Sequence, residues 1–297
     1  MRSFAELLAA AKARGPRTLA VAAAADREVL AAVDMAHREG LCRAALVGDA
    51  SRIAALAGEL GVDLGPHRVV DEPDAERAAV RAVELVAMGE ADFLMKGMLP
   101  TAALLRAVLD KERGLRTGQM LSHVGLLEVP GFGRLLGITD FVMNVAPDLK
   151  AKAAILRNAL EVLRRIGLSE PRVAVLAAVE VVNPEMPATL DGALLSKMAE
   201  RGEFGPCHVD GPLAMDLAVS EEAARHKGVG GPVAGRADLL LVPDLNAGNI
   251  LYKALVYLAG ARVAGVVVGA RAPVVLISRA DTAENKLYSI ALGLIAS

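Results

Sequence analysis

The stretch TLAVAAAADREVLAAVDMAHREGLCRAALV, Thr18–Val47, decides the fold. Thr18–Ala24 is a continuous apolar run, the pattern of a strand covered on both faces rather than on one. Asp26–Glu39 then spaces its apolar residues as one stripe of a helix. A second apolar run follows at Arg43–Val47. Strand, helix and strand in that order predict a βαβ unit and a parallel sheet.

Working outward, the same alternation fills most of the chain. Further buried strands are expected at Phe93–Lys96, Arg172–Val179, Leu239–Val242, Gly265–Gly269 and Val274–Ser278. Amphipathic helices are expected at Asp74–Met88, Thr101–Arg113, Asp148–Ile166 and Leu190–Arg201. The reading is an α/β chain of three-layer αβα sandwiches with mainly parallel sheets. Gly118–Thr139 breaks the rhythm, because two apolar runs flank Pro130-Gly131-Phe132-Gly133 and read as a hairpin. The domain division is placed just beyond it, giving 1–141 plus 279–297 as one domain and 142–278 as the other.

Composition narrows the function. Of 297 residues 54% are hydrophobic and 23% charged, enough apolar material for a large core and against disorder. Lys+Arg 33 against Asp+Glu 35 leaves a net charge of −2, with no basic excess for DNA or RNA, and with Trp 0, Tyr 3 and Phe 5 there is little to stack bases on. Nucleic acid is therefore not an expected partner. Neither is a membrane, since no apolar run approaches the ~18–20 residues that cross a bilayer. The opening MRSFAELLAAAKARG carries Glu6 and breaks at Gly15-Pro16, unlike a secretory leader, so a cytoplasmic setting is expected. Cys42 and Cys207 make no disulfide framework, and His37, His67, His123, His208 and His226 lack metal-ligand spacing, so no protein-held metal is expected. Gly131, Gly133 and Gly137 fall inside the hairpin with the wrong spacing for a dinucleotide fingerprint, and there is no Walker A run and no G-x-S-x-G elbow.

Ligands of open α/β sheets gather at the carboxyl ends of strands, where loops run into helix N-termini. Four such junctions carry candidate residues. In Phe93–Thr101, FLMKGMLPT, Gly97 frees a turn whose amides could hold an anion, with Lys96 and Arg106 as nearby cations; an ordinary helix start explains the same residues. In Val209–Asp216, VDGPLAMD, Asp210 sits at a Gly-Pro turn and suits either a pocket wall or a plain turn. In Val242–Lys253, VPDLNAGNILYK, Asn246, Gly248 and Asn249 offer amides to a phosphate, with Asn246 as a simple N-cap as the alternative. In Gly269–Asp281, GARAPVVLISRAD, the Ser278 hydroxyl and Arg279 guanidinium stand at a strand end, suited to an oxyanion and a phosphate; a serine cap with an Arg–Asp surface pair is the alternative.

Taken together, these junctions resemble the phosphate acetyltransferase and phosphate butyryltransferase family. PVAGRADLLLVPDLNAGNILYKALVYLAGA (Pro232–Ala261) looks like its signature region. VDGPLAMDLAVS, GARAPVVLISRAD and LMKGMLPTAALLRAVLDKERGLRTG stand in the expected order, and GITDFVMNVAPDLKAKAAIL extends the match. The K-G-x-x-P-T form and the SRAD ending resemble the butyryltransferase branch. The resemblance implies two αβα domains with a cleft between them, like isocitrate and isopropylmalate dehydrogenases, a C-terminal helix returning to the first domain, and a homodimer or higher homo-oligomer. It implies acyl-CoA + phosphate ⇌ acyl phosphate + CoA by direct transfer in a ternary complex, with coenzyme A as a substrate and no tightly bound cofactor. Ser278 and Arg279 match the reacting centre, Arg106 a substrate-binding arginine, and Asn246, Gly248 and Asn249 the cleft loop. Where acetyltransferases carry an aspartate proposed as thiol base, this chain has Asn285, leaving Asp281 as a substitute, with Glu284 nearby or no general base at all as the alternatives. The alternatives are an acetyl-specific enzyme, an acyl-CoA binder without turnover, and a metal-dependent 2-hydroxy acid dehydrogenase of related fold.

Overall fold

The computed structural model describes residues 1–276, 278 and 281–297. They form two compact units: Phe4–Gln119 with Val263–Ser297, and Met120–Arg262 with Met1–Ser3. The hairpin, placed by sequence in the first domain, thus groups with the second half of the chain.

The first unit begins with α1 (Phe4–Ala13), β1 (Arg17–Ala22), α2 (Arg27–Arg38), β2 (Cys42–Gly48), α3 (Ala50–Leu60), β3 (Arg68–Asp71), α4 (Ala75–Ala87), β4 (Phe93–Lys96) and α5 (Thr101–Val108). The second holds β5 (Ser122–Glu128), β6 (Leu135–Thr139), α6 (Leu149–Arg165), β7 (Arg172–Leu176), α7 (Pro187–Glu200), β8 (His208–Leu213), α8 (Met215–Val219), α9 (Glu221–His226), β9 (Leu239–Leu241) and α10 (Leu245–Tyr257). The chain then returns to the first unit with β10 (Arg262–Val268), β11 (Val274–Val275) and α11 (Ala283–Ala296).

In the first unit the strands run in the order β3-β2-β1-β4-β11-β10, parallel except where β10 meets β11. Leu19–Ala22 and Phe93–Met95 are buried almost completely, as continuous apolarity predicts for strands covered on both faces. Asp26, Asp49 and Asp74 each cap a helix by accepting the amide three residues on. α11 packs against α1 and α2: the Phe4 and Tyr288 rings stack at 4.3 Å, and Arg14 donates to the Ile295 carbonyl at 2.6 Å. In the second unit the order is β5-β6-β9-β7-β8, parallel except for the β5–β6 hairpin.

Three expectations shift. α5 stops at Val108 rather than Arg113, because the Asp110 carboxylate takes the amides of Glu112 and Arg113 and turns the chain out of the helix. β8 is a strand although Asp210, Gly211 and Pro212 give it a turn's composition. β11 is only two residues long and ends before Ser278.

Within the first unit, His67 sets a pH dependence. Its Nδ1 accepts the Ala44 amide at 3.1 Å, so the folded ring is held neutral. Burial pushes its pKa down, and the His37 ring, edge-on at 5.2 Å, adds to this against the opposing pull of Asp34 and Asp63. Unfolded, the ring takes a proton near pH ~6.5. The group therefore costs nothing above that pH and destabilises the fold as pH falls below it. Urea midpoints should drop between pH 8 and 5.5, and His67→Gln should flatten that slope; an unchanged slope contradicts this account.

Candidate active site

The best-defined site lies at the carboxyl end of the first unit's sheet. β1 ends at Ala22, and Ala23 turns the chain with a φ of +55°. That turn presents two carbonyls to the end of β4: Gly97 donates to Ala22 at 2.8 Å and Met98 to Ala23 at 2.9 Å. The approach is so close that a Cβ on Gly97 would stand 2.2 Å from the Ala23 oxygen. Glycine is required at this position for contact rather than for flexibility. The amides of residues 97–99 are consequently spent on main-chain carbonyls, Leu99 donating to Gly97. They are not the bare donors that the sequence suggested for an anion.

Lys96 is 7% exposed, and its Nζ donates to the carbonyls of Gly97 and Leu99, each at 3.2 Å. β11 runs parallel beside β4, pairing Val275 with Met95, which brings Ser278 out at the same sheet end as Lys96. Ser278 is exposed and lines a pocket with Asp26, Met95, Lys96, Gly97 and Lys286. The Ser278 carbonyl accepts the Asp281 amide at 3.2 Å, and Thr282 caps α11 by accepting the Asn285 amide at 3.2 Å. Arg279 lies outside the described residues.

Asp281 stands behind this turn instead of facing the pocket. It is 7% exposed, its Oδ2 is buried without a hydrogen bond, and burial pushes its pKa up. Its Asn285 partner also accepts the Val263 amide at 3.1 Å, so the residue standing at the acetyltransferase aspartate position ties α11 to β10. Such a carboxyl can support the turn; the sequence reading of it as a base at the thiol needs an exposed oxygen that this arrangement does not offer.

Arg106 is not brought to this pocket. It lies on the outer side of α5, 72% exposed, 3.7 Å from Glu76, along a depression shared with Asp110 and Arg113. The remaining candidates belong to the second unit. There Asp244, not Asn246, caps α10, accepting the Ala247 amide at 2.9 Å, while Asn246 is exposed. Gly248 lets α10 settle on Phe141, whose Cβ would be 2.8 Å from any Cβ it carried. Asn249 Nδ2 donates to the Phe141 carbonyl at 3.3 Å, and the Phe141 ring stacks on Tyr252 at 4.7 Å. Gly248 and Asn249 thereby fix the loop after β6. Asp140 holds that loop from beneath, accepting the amides of His123, Val142 and Met143. Asp210 is half-buried on β8, and burial pushes its carboxyl pKa up.

Sequence reasoning missed Lys286, Asp26 and Asp140. The available signal for Lys286 was a charge in the otherwise apolar run KLYSIALGLIA. Among the described residues no helix is long and apolar enough to cross a membrane, and no three of His, Cys, Asp or Glu gather where a metal could be held.

A mostly parallel α/β sheet with a serine and a buried lysine at its carboxyl end defines an α/β enzyme with a polar strand-end site. The fold is shared with a branched-chain phosphotransacylase from Enterococcus faecalis, at TM-score 0.83 and 35% identity over 94% of this chain and 98% of that one. It is shared more distantly with 4-hydroxythreonine-4-phosphate dehydrogenase from Klebsiella pneumoniae, at TM-score 0.56 and 16% identity over 95% of this chain and 99% of that one. The family model described as phosphate acetyl/butaryl transferase matches residues 74–294. Phosphate butyryltransferase from Clostridium acetobutylicum is 48% identical across 100% of this chain and 99% of its own length. Phosphate acetyltransferase from Thermotoga maritima is 47% identical across 98% of each. The chain belongs to the phosphate acetyl/butyryl transferase family and is an acyltransferase.

Proposed function

We propose that this enzyme reversibly transfers a short acyl group, butyryl or a close neighbour, between coenzyme A and inorganic phosphate. The observation that carries the proposal is the full-length similarity to phosphate butyryltransferase. Similarity to an acetyltransferase at almost the same identity keeps an acetyl preference as the second reading. The likeness to a dehydrogenase, at 16% identity, concerns fold alone. The proposal includes a cytoplasmic setting, a homodimer or higher homo-oligomer, two αβα domains, and coenzyme A as a substrate.

In the forward direction a phosphate oxygen attacks the thioester carbonyl carbon, the C–S bond breaks, and CoA leaves as thiolate. In reverse the thiolate, from a thiol of pKa ~8.5, attacks the acyl phosphate. Both directions pass through one tetrahedral oxyanion. The Ser278 hydroxyl, exposed at the strand end, is assigned to donate to it. Arg279 is assigned to neutralise the phosphoryl group or the same oxyanion. Lys96 and Gly97 form the floor, and Asp281 supports the turn from behind. Arg106, Asp210, Asn246, Gly248 and Asn249 are assigned to substrate binding, the last two by shaping the loop that carries Phe141. Direct transfer needs positioning and charge stabilisation more than a strong acid, since phosphate and thiolate both leave readily. Purified protein mixed with butyryl-CoA and phosphate should release free thiol; no release with any acyl chain from C2 to C6 overturns the proposal.

A further inference from the structure

The pocket beside Ser278 holds a second cation that no family motif quoted above contains. Lys286 sits in the first turns of α11 and is 4% exposed. Its neighbours Leu287, Ile290, Ala291 and Leu294 are buried too, so the helix is enclosed on nearly every side. A lysine is a costly choice in such a helix, and a long apolar residue would fill the space more cheaply. Its side chain nevertheless reaches the wall of the pocket lined by Lys96 and Ser278.

Two ammonium groups, each more than nine-tenths buried, therefore open on one small space. Lys96 is oriented by the carbonyls of Gly97 and Leu99, and Lys286 by the main-chain carbonyl of Asp281. Three carboxylates, Asp26, Asp281 and Glu28, lie around Lys286 and offset part of its charge, and Asp26 lines the same pocket. Asp26 accepts the Val29 amide at 3.0 Å, and Glu28 accepts the Ala283 amide at 2.8 Å. Burial pulls the Lys286 pKa down against those carboxylates, a pull that a bound anion would relieve.

We propose that Lys286, acting with Lys96, binds the phosphoryl anion of the reaction: inorganic phosphate in one direction, the phosphate end of the acyl phosphate in the other. The assignment rests on the acyl-transfer reading and adds the residue that seats phosphate beside Ser278.

The test compares full-length wild type with Lys286→Met, which keeps the length and removes the charge, and with Lys286→Arg, which restores it. Lys286→Met should raise the KM for phosphate at least tenfold and leave the KM for butyryl-CoA within twofold; Lys286→Arg should recover most of the loss. Inorganic phosphate should raise the Tm of wild type above that in chloride of equal ionic strength, and should not do so for Lys286→Met. An unchanged phosphate KM with the Tm rise intact overturns the assignment, as does an equal rise in both KM values with a lowered basal Tm, the mark of a merely structural lysine. If Lys286→Met does not fold, Lys286→Gln replaces it under the same criteria. If wild type transfers no acyl group yet shows the lysine-dependent Tm rise, the phosphate pocket stands and the acyl-transfer reading falls.

Discussion

Replacing Ser278 by alanine is expected to lower kcat by about 10²- to 10³-fold while each KM stays within a few-fold of wild type. A donor aimed at the developing oxyanion contributes little while the substrate is still a planar thioester, so its loss appears in kcat. Ser278 is exposed beyond the end of β11, outside the packed interior, and removing its hydroxyl leaves no buried cavity. Its main-chain carbonyl, which receives the Asp281 amide, is untouched by the substitution. The stability of Ser278→Ala should therefore match wild type in urea. A kcat within threefold of wild type would remove Ser278 from the reacting centre, and a loss confined to KM would recast it as a ground-state contact. Ser278→Thr, which keeps a hydroxyl, should retain more activity than the alanine variant.

Gly97→Ala is expected to be the most damaging single-methyl change in the first unit. The added Cβ would lie 2.2 Å from the Ala23 oxygen and 2.6 Å from the Ala22 oxygen. Both carbonyls are fixed, because β1 pairs with β2 on one side and β4 on the other. Relief has to come from β4, by breaking the bonds of Gly97 to Ala22 and of Met98 to Ala23. Overpacking against backbone together with two lost hydrogen bonds should cost about 3 kcal/mol or more. Lys96, whose Nζ is held by the carbonyls on either side of Met98, should lose its aim, and kcat/KM should fall by at least ~10². Gly58→Ala is the matched control: nothing lies within 4 Å of its Cβ position on α3, and the substitution should stabilise by ~0.5–1 kcal/mol. If both variants showed equal urea midpoints, the close approach at Gly97 would have no energetic weight.

Much of this architecture could be read from residues because local and global signals agree. Asp26, Asp74 and Asp148 announce their helices as side-chain caps, and the apolar runs at Leu19–Ala22 and Phe93–Met95 are the buried centre of the sheet. β8 was hidden because Asp210-Gly211-Pro212 satisfies local rules for a turn. Gly211 would set a Cβ 2.8 Å from Val175, and Gly192 one 2.9 Å from Pro212, so those small residues serve the packing of α7 and β7 on β8, a tertiary demand. At the site, Lys96, Gly97 and Ser278 were legible because strand ends are where ligands collect, and the structure gathers them around one pocket. Arg106 attracted notice as a charge near that turn, but the buried face of α5 is Ala103, Leu104, Ala107 and Val108, which turns the arginine outward. Lys286 escaped because helical periodicity describes faces, whereas its significance comes from a loop and a strand far away in sequence. Arg279 belongs to the same expectation as Ser278, and the kinetics of Arg279→Ala bear on it directly.

The most direct test of the acyl-transfer account follows the butyryl-CoA reaction at both ends. Free thiol and consumed inorganic phosphate are measured together, with hydroxylamine trapping the activated acyl product. The account predicts one phosphate consumed and one acyl hydroxamate formed per thiol released, and no thiol without phosphate. Thiol release that proceeds at the same rate without phosphate, or without trappable acyl phosphate, would contradict it.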